Sequence, residues 1–195
     1  IGNRKATAFY PAKGILENEL IESATIASLA DETPEGKSIV ELAATKGFRH
    51  PTVIGSQADV SFGLPQMTII KFSAETRYSG INLDGRVIRK GSFDAIKKLV
   101  EKNGKEIPVE INTAIENISH NGGTPLVVSQ NNVVMGAIEL QDIIKPGITE
   151  RFERLRKMGV KTVMVTGDNP LTAKYIAGKA GVDDFIAEAK PEDKL

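Results

Sequence analysis

The stretch TGDNP at residues 166–170 contains residue types that bind phosphate at the edge of a sheet. It follows the apolar run KTVMV and precedes a helix-like segment, so it lies where a buried strand would end and a helix would begin. The Thr166 hydroxyl, the backbone freed by Gly167 and the N–H groups of the next helix can all face an anion there. A plain strand-to-helix turn capped by Asn169 explains the same residues equally well.

The stretch FSAETRYSGINLDGRVIRKGS at residues 72–92 is the second candidate. Phe72 and Arg77 fall near the ends of two adjacent predicted strands, and Arg89 and Lys90 lie on the next strand. An aromatic ring beside cations forms a platform for a purine ring and its phosphates. Considered alone, these residues favour a structural role, because Phe72 can belong to the core and the cations can be ordinary surface charge.

Two polar turns and two histidines carry weaker signals. Lys194, in KPEDK, could neutralise a transferring phosphoryl group, although a lysine in such a turn is more often only solvated. The segment DETPEGKS at 31–38 gathers three carboxylates, and a helix-linking acidic turn is favoured over a metal site. His50 and His120 are far apart in the sequence, and we assign them no catalytic or metal-binding role.

The composition is that of a soluble globular chain. Hydrophobic residues make up 41% of the 195 residues, and 25 basic residues balance 25 acidic ones. This balance argues against the basic field of a nucleic-acid-binding protein. The absence of cysteine excludes disulfides, thiolate metal sites and thiol nucleophiles, and agrees with a reducing compartment. No apolar run approaches the ~20 residues of a membrane-spanning helix, and IGNRKATAFY lacks the features of a signal peptide.

The first two thirds of the chain alternate helix pairs with strand pairs. Asp84-Gly85 predicts a tight hairpin turn, Ser92 is placed to cap a helix that stops at Gly104, and Asn131-Asn132 predicts a second hairpin. We predict helices at 17–32, from the Pro34–Gly36 break to Gly47, at 93–103 and at 110–121, an irregular segment at 48–66, and strands at 67–72, 77–84, 86–91 and on both sides of Asn131-Asn132. This order favours an antiparallel or mixed sheet flanked by helices.

The pattern changes near Asp142, and we place a domain boundary near residue 137. An amphipathic helix at 147–159 is followed by the apolar strand 161–168, a helix that starts at Pro170, and a short strand in VDDFIAEA. The continuous apolar strand is typical of parallel sheets that are buried on both faces. This βαβ succession predicts part of a Rossmann-like, doubly wound domain, so the fold class is α/β overall, with an α+β domain before it.

The longer motifs, taken together, resemble one family. LADETPEGKSIV, FSAETRYSGIN, VIRKGS, GGTPLVV, GAIELQDIIKPGITERFERLRKMG, KTVMVTGDN and KPEDKL occur in this order and span nearly the whole chain. They resemble the catalytic, ATP-binding B subunit of the Kdp potassium-transporting P-type ATPases. TGD alone is common to all P-type ATPases, whereas the combination with ETPEG and FSAETR…SG…RKG is particular to the Kdp branch.

The resemblance implies a division into three parts and a set of site residues. Residues 1–7 would be the edge of a phosphorylation domain or a linker, 8–137 a nucleotide-binding domain, and 138–195 part of a haloacid dehalogenase-type phosphorylation domain. ATP and, in the complete enzyme, Mg²⁺ are the implied cofactors. The implied roles are adenine stacking for Phe72, the pocket cation for Lys90, close backbone approach at Gly91, pocket lining for Arg77, Ser79 and Glu35, the hinge aspartate for Asp142, and phosphoryl handling for Thr166, Gly167, Asp168 and Lys194. Lys145 stands where many other pumps have arginine.

The resemblance also implies a phosphorylated aspartate in a DKTGT segment, which these 195 residues do not contain. We therefore expect this chain to bind ATP without forming a phosphoenzyme, and to lie at the cytoplasmic face of the membrane with the other Kdp subunits. No nucleic acid partner is expected. Two other functions stay open on the residues alone: a soluble haloacid dehalogenase-like phosphatase, which would need its own aspartate nucleophile motif, and a non-catalytic protein-interaction module.

Overall fold

A computed structural model describes residues 2–29, 31–48, 67–144, 147–166 and 170–189. Its larger part is a six-stranded, fully antiparallel sheet with two helices on each face. In chain order, this part consists of β1 (Gly2–Pro11), α1 (Glu17–Ser28), α2 (Pro34–Thr45), β2 (Met67–Ile70), β3 (Tyr78–Leu83), β4 (Arg86–Gly91), α3 (Phe93–Lys102), α4 (Val109–His120), β5 (Thr124–Gln130) and β6 (Val133–Ile144). The strands are ordered β1-β6-β5-β4-β3-β2.

A smaller βαβ unit follows this sheet. It comprises α5 (Ile148–Lys157), β7 (Val163–Val165), α6 (Pro170–Ala180) and β8 (Asp184–Ile186). Strands β7 and β8 pair in parallel, as the sequence predicts. The mixed α/β fold class is confirmed, with one antiparallel and one parallel sheet in the described part.

Period-two alternation along the strands divides the core into two layers. On one face, α1 and α2 cover Ile81, Ile88 and Ile138 of the sheet. On the other face, α3 and α4 cover Val127 and Ala137. Each strand thus contributes alternate residues to opposite layers, and polar side chains project from the sheet at defined positions.

The β3–β4 hairpin forms at the predicted Asp84-Gly85 turn. Both residues have positive φ, 48° and 77°, which is the backbone conformation of a type I′ turn. The turn sets the register in which Ser79 lies opposite Lys90 and Tyr78 opposite Gly91. This register brings the two ends of the 72–92 stretch together.

Strand β1 is an element that the sequence analysis missed. Residues 1–7 were assigned to a domain edge or linker, yet Gly2–Pro11 pairs with β6 along nearly its whole length. The proposed limits at residues 7 and 137 fall inside β1 and β6, and the division into two domains stays a proposal. The predicted irregular segment 48–66 lies outside the described residues except for Phe48.

The prediction that the strand at 161–168 is buried on both faces is wrong for the described part. The strand spans only Val163–Val165, and while Met164 packs beneath α6, Val163 and Val165 are 53% and 38% exposed. These two valines face the side that α6 does not cover. No helix in the described ranges is long and apolar enough to cross a membrane.

Candidate functional site

A cavity of about 310 Å³ opens between the α1–α2 connection and the ends of β3 and β4. Six residues that the sequence analysis proposed for ligand binding line it: Glu35, Phe72, Arg77, Ser79, Lys90 and Gly91. They come from three separate parts of the chain. A second, more open cavity of about 460 Å³ adjoins it and shares Phe72 and Ser79 among its lining residues.

Lys90 lies at the base of this cavity with only 3% of its surface exposed. Its Nζ donates to Ser28 Oγ at 2.9 Å and to Asp31 Oδ2 at 2.6 Å. Burial lowers the pKa of the Lys90 ammonium, whereas Asp31 and, more weakly, Glu35 act to raise it. An ammonium group has three donors, and two of them bind acceptors among the described residues.

Asp31 is held in place by the chain that follows it. Its Oδ1 accepts hydrogen bonds from the backbone N–H and the hydroxyl of Thr33. Burial acts to raise the pKa of the Asp31 carboxyl, but Lys90 and the Thr33 hydrogen bonds outweigh burial, so the pKa lies below its usual value. The Thr33 hydroxyl in turn accepts from Gly36 N–H at 3.1 Å and caps α2, whose first residue is Pro34.

Gly36 permits this compact turn, because an added Cβ would lie 2.5 Å from the carboxyl carbon of Asp31. The acidic turn predicted at 31–38 is therefore present, and Asp31 is committed to Lys90 and Thr33. Within the described ranges, no group of three or more acidic, histidine or cysteine residues is arranged to hold a metal ion. The residues of this acidic turn therefore do not fit a Mg²⁺ site.

Phe72 and Arg77 form the outer wall of the cavity. Phe72 is 60% exposed, which excludes the core role that the residues alone allowed. Arg77 has a left-handed backbone, with φ of 56°, and its carbonyl accepts from Ser92 N–H. An added Cβ on Gly91 would lie 2.5 Å from that carbonyl oxygen, so only glycine allows the two strand ends to approach so closely.

Other proposed residues lie elsewhere. Asp142 on β6 lies opposite Arg4 on β1, with 4.0 Å between Arg4 Nε and Asp142 Oδ1. Arg4 lines the cavity that contains Lys90, whereas Asp142 lines a separate open cleft. Thr166 directly follows β7. Its N–H donates to the carbonyl of Ile186 on β8, and its carbonyl accepts from the N–H of Ala189. Arg89 points to the opposite face from Lys90 and donates to main-chain carbonyls. Gly167, Asp168, Lys194, Lys145, Asn169 and His50 lie outside the described residues.

Three residues in or beside the cavity were missed or only partly understood from the sequence. Ser28 and Asp31 are the partners of Lys90; the signal that could have found them is that a buried cation requires a nearby carboxylate. Ser92 occupies the predicted N-cap of α3, but its hydroxyl makes no capping bond. Its Oγ is buried, has no hydrogen-bond partner among the described residues, and belongs to a residue that lines the cavity.

Comparison with known proteins places this chain in a class. Residues 2–195 match the haloacid dehalogenase-like hydrolase family, and the chain belongs to that family. All 195 residues align at 53% identity with the potassium-transporting ATPase ATP-binding subunit of Erwinia tasmaniensis. The chain spans 27% of the length of that relative. The resemblance to the Kdp ATP-binding subunit is therefore confirmed.

Solved structures agree with this assignment. The chain superposes on the crystal structure of a zinc-transporting PIB-type ATPase with a TM-score of 0.69 and 26% identity, covering 98% of this chain and 27% of that one. It also matches the catalytic domain of the CPx-ATPase CopB-B, with a TM-score of 0.59, 14% identity, and coverage of 98% and 59%. At 14% identity, the second match shows the fold alone.

Proposed function

We propose that the cavity around Lys90 binds ATP, and that the chain is the ATP-handling part of a potassium-transporting P-type ATPase. The observation that carries this proposal is the convergence of six proposed binding residues, from three parts of the chain, on one cavity. In the whole protein, this part would act at the cytoplasmic face of the membrane with the other Kdp subunits and with Mg²⁺.

The chemistry of the cavity suits an adenine nucleotide. The exposed ring of Phe72 offers a stacking surface worth about 1–3 kcal/mol per base. The remaining N–H of Lys90 can donate to an acceptor on the nucleoside at the base of the cavity. Arg77 is exposed at the rim, where a guanidinium can pair with phosphate. Apolar walls from Leu126 and Leu140 complete an enclosure for a planar ring.

Phosphoryl handling is assigned to the smaller unit. We propose that Thr166, Gly167 and Asp168 face the transferred phosphate and that Lys194 stabilises its charge. Asp142 lies on β6, the strand that leads into this unit, and would approach the nucleotide when the two parts close. In this proposal, the phosphate is transferred to an aspartate of the whole ATPase, so the chain of 195 residues binds ATP without becoming phosphorylated.

An ATP titration monitored by backbone amide NMR tests the adenine site. We expect shifts clustered on residues 72–92 and on the α1–α2 connection. Phe72→Leu, which keeps an apolar side chain but removes the ring, should weaken binding roughly tenfold, because stacking is lost. Lys90→Ala should weaken binding to a similar or greater extent, because the base of the cavity loses its hydrogen-bond donor.

Lys98→Ala is the matched control, since Lys98 is exposed on α3 and does not line the cavity. It should bind ATP like the wild type. Shifts confined to residues 161–170, with none at 72–92, would contradict the adenine site and indicate a site for phosphate alone.

A further inference from the structure

The connection between α1 and α2 forms the part of the site that faces Lys90. Lys90 projects from β4 into a region where burial would strip its ammonium of water. Its two acceptors, Ser28 at the end of α1 and Asp31 just after it, come from one short stretch of chain. With its side chain 12% exposed, Asp31 provides the carboxylate partner of this cation.

We propose that Asp31 is the positioning residue of the nucleotide site: it holds the Lys90 ammonium in place and directs the remaining N–H of that ammonium into the cavity. This inference rests on the proposed ATP-binding function and adds a residue to which no role had been assigned. The geometry supports it at both ends, since Oδ2 holds Lys90 while Oδ1 is itself held by Thr33.

The pair also determines which part of the nucleotide Lys90 meets. Asp31 neutralises the ammonium at 2.6 Å, so the cation offers one directed donor rather than an uncompensated charge. A phosphate would have to compete with the carboxylate for the ammonium. A neutral acceptor on the base or the ribose only needs the free N–H, so we infer that Lys90 contacts the nucleoside and that the phosphates lie towards Arg77.

The charged groups around Lys90 set the expected pH dependence. Asp31 and Glu35 face it from the α1–α2 connection and from α2, and both raise the pKa of Lys90. Two arginines line the same cavity: Arg77, just before β3, and Arg4, on β1. Without the charge of Asp31, the effect of burial, which lowers the pKa of Lys90, is less strongly opposed. Lys90 should then lose its proton at a lower pH than in the wild type, and its function as a donor should fail earlier as pH rises.

The test compares ATP affinity of the wild type, Asp31→Asn and Glu41→Gln between pH 6 and pH 9. Asp31→Asn should bind roughly tenfold more weakly near neutral pH, and the deficit should grow as pH rises. Glu41→Gln removes the same charge from an exposed position on α2 outside the cavity and should follow the wild type. Asp31→Glu, which keeps the carboxylate, should restore the wild-type pH profile.

A second measurement does not depend on ligand binding. The ¹³Cε resonance of Lys90 reports its protonation, and its titration midpoint should fall in Asp31→Asn and stay unchanged in Glu41→Gln. An unchanged midpoint, or a loss of affinity that is the same at every pH, would overturn the role of Asp31. If instead the wild type shows no ATP-induced shifts at 72–92, the proposed function fails, while the Lys90 titration still decides whether Asp31 controls its charge.

Discussion

At the scale of single residues, the site depends on glycines that allow strands to approach. Gly80 of β3 lies opposite Arg89 of β4. A Cβ added at Gly80 would collide with the carbonyl oxygen of Ile88, and backbone cannot move aside as the end of a side chain can. The requirement is steric, because φ of Gly80 is not positive.

Gly80→Ala should therefore destabilise the six-stranded part by about 3 kcal/mol, the upper end of what overpacking costs. Urea unfolding followed by an amide probe on β3 or β4 measures this loss. Gly178→Ala is the control: Gly178 is a helical position of α6 with open space around it, and the exchange should stabilise α6 by about 0.5 kcal/mol. A neutral Gly80→Ala would show that β3 and β4 can separate without cost.

At the scale of elements, one carboxylate joins three segments of the smaller unit. Asp183, just before β8, accepts from the N–H and hydroxyl of Thr162 before β7, at 2.8 and 2.9 Å, and from Arg156 Nε of α5 at 2.7 Å. The Thr162 N–H, followed by Arg156 and the Thr162 hydroxyl, lowers the pKa of Asp183 to about 2. The short strands thus gain a polar link that their three residue pairs do not supply.

A carboxyl whose folded-state pKa is lowered stabilises the fold at pH values above its ordinary pKa. This contribution should be complete above about 3.8 and disappear as pH falls towards about 2. The carboxyl ¹³C resonance of Asp183 should titrate with a midpoint near 2. In Asp183→Asn, unfolding of the βαβ unit should lose this part of its acid dependence; an unchanged dependence would exclude Asp183 as its source.

At the scale of the whole molecule, an aromatic contact joins the βαβ unit to the six-stranded part. Tyr175 of α6 packs on Gly122 in the turn between α4 and β5, where an added Cβ would lie 2.9 Å from the ring. Lys179 covers the same ring, with its Nζ 4.9 Å from the ring centroid. This contact adds to the covalent connection through β6 and limits how the βαβ unit turns against the larger sheet.

Tyr175→Ala should let the βαβ unit reorient more independently, because the Tyr175 ring packs against Gly122 of the six-stranded part. Backbone ¹⁵N relaxation should then give a shorter rotational correlation time for residues 147–189 than for the six-stranded part. Tyr175→Phe keeps the ring and should behave like the wild type. Equal correlation times for the two parts in Tyr175→Ala would mean that the contact does not restrain them.

Sequence patterns predicted what depends on neighbours along the chain. The Asp84-Gly85 hairpin, the helix stops at Gly104 and Gly159 and the βαβ order all follow from local backbone preferences, and the structure contains them. Strand β1 was missed because its pairing with β6 joins residues more than 120 positions apart. Burial of Val163 and Val165 was overestimated because an apolar run does not report which faces are covered.

The candidate site also combines features that the sequence predicts with features that only the tertiary structure reveals. The types and spacing of residues 72–92, with the motifs around them, were sufficient to propose Phe72 and Lys90 and to indicate the family. Only the tertiary structure decided that Phe72 is exposed rather than core and that Asp31 is the partner of Lys90. Lys90 and Asp31 are 59 residues apart, so no local pattern records their contact. The pair forms because packing α1 against the sheet buries a cation, and a buried cation requires a carboxylate within reach.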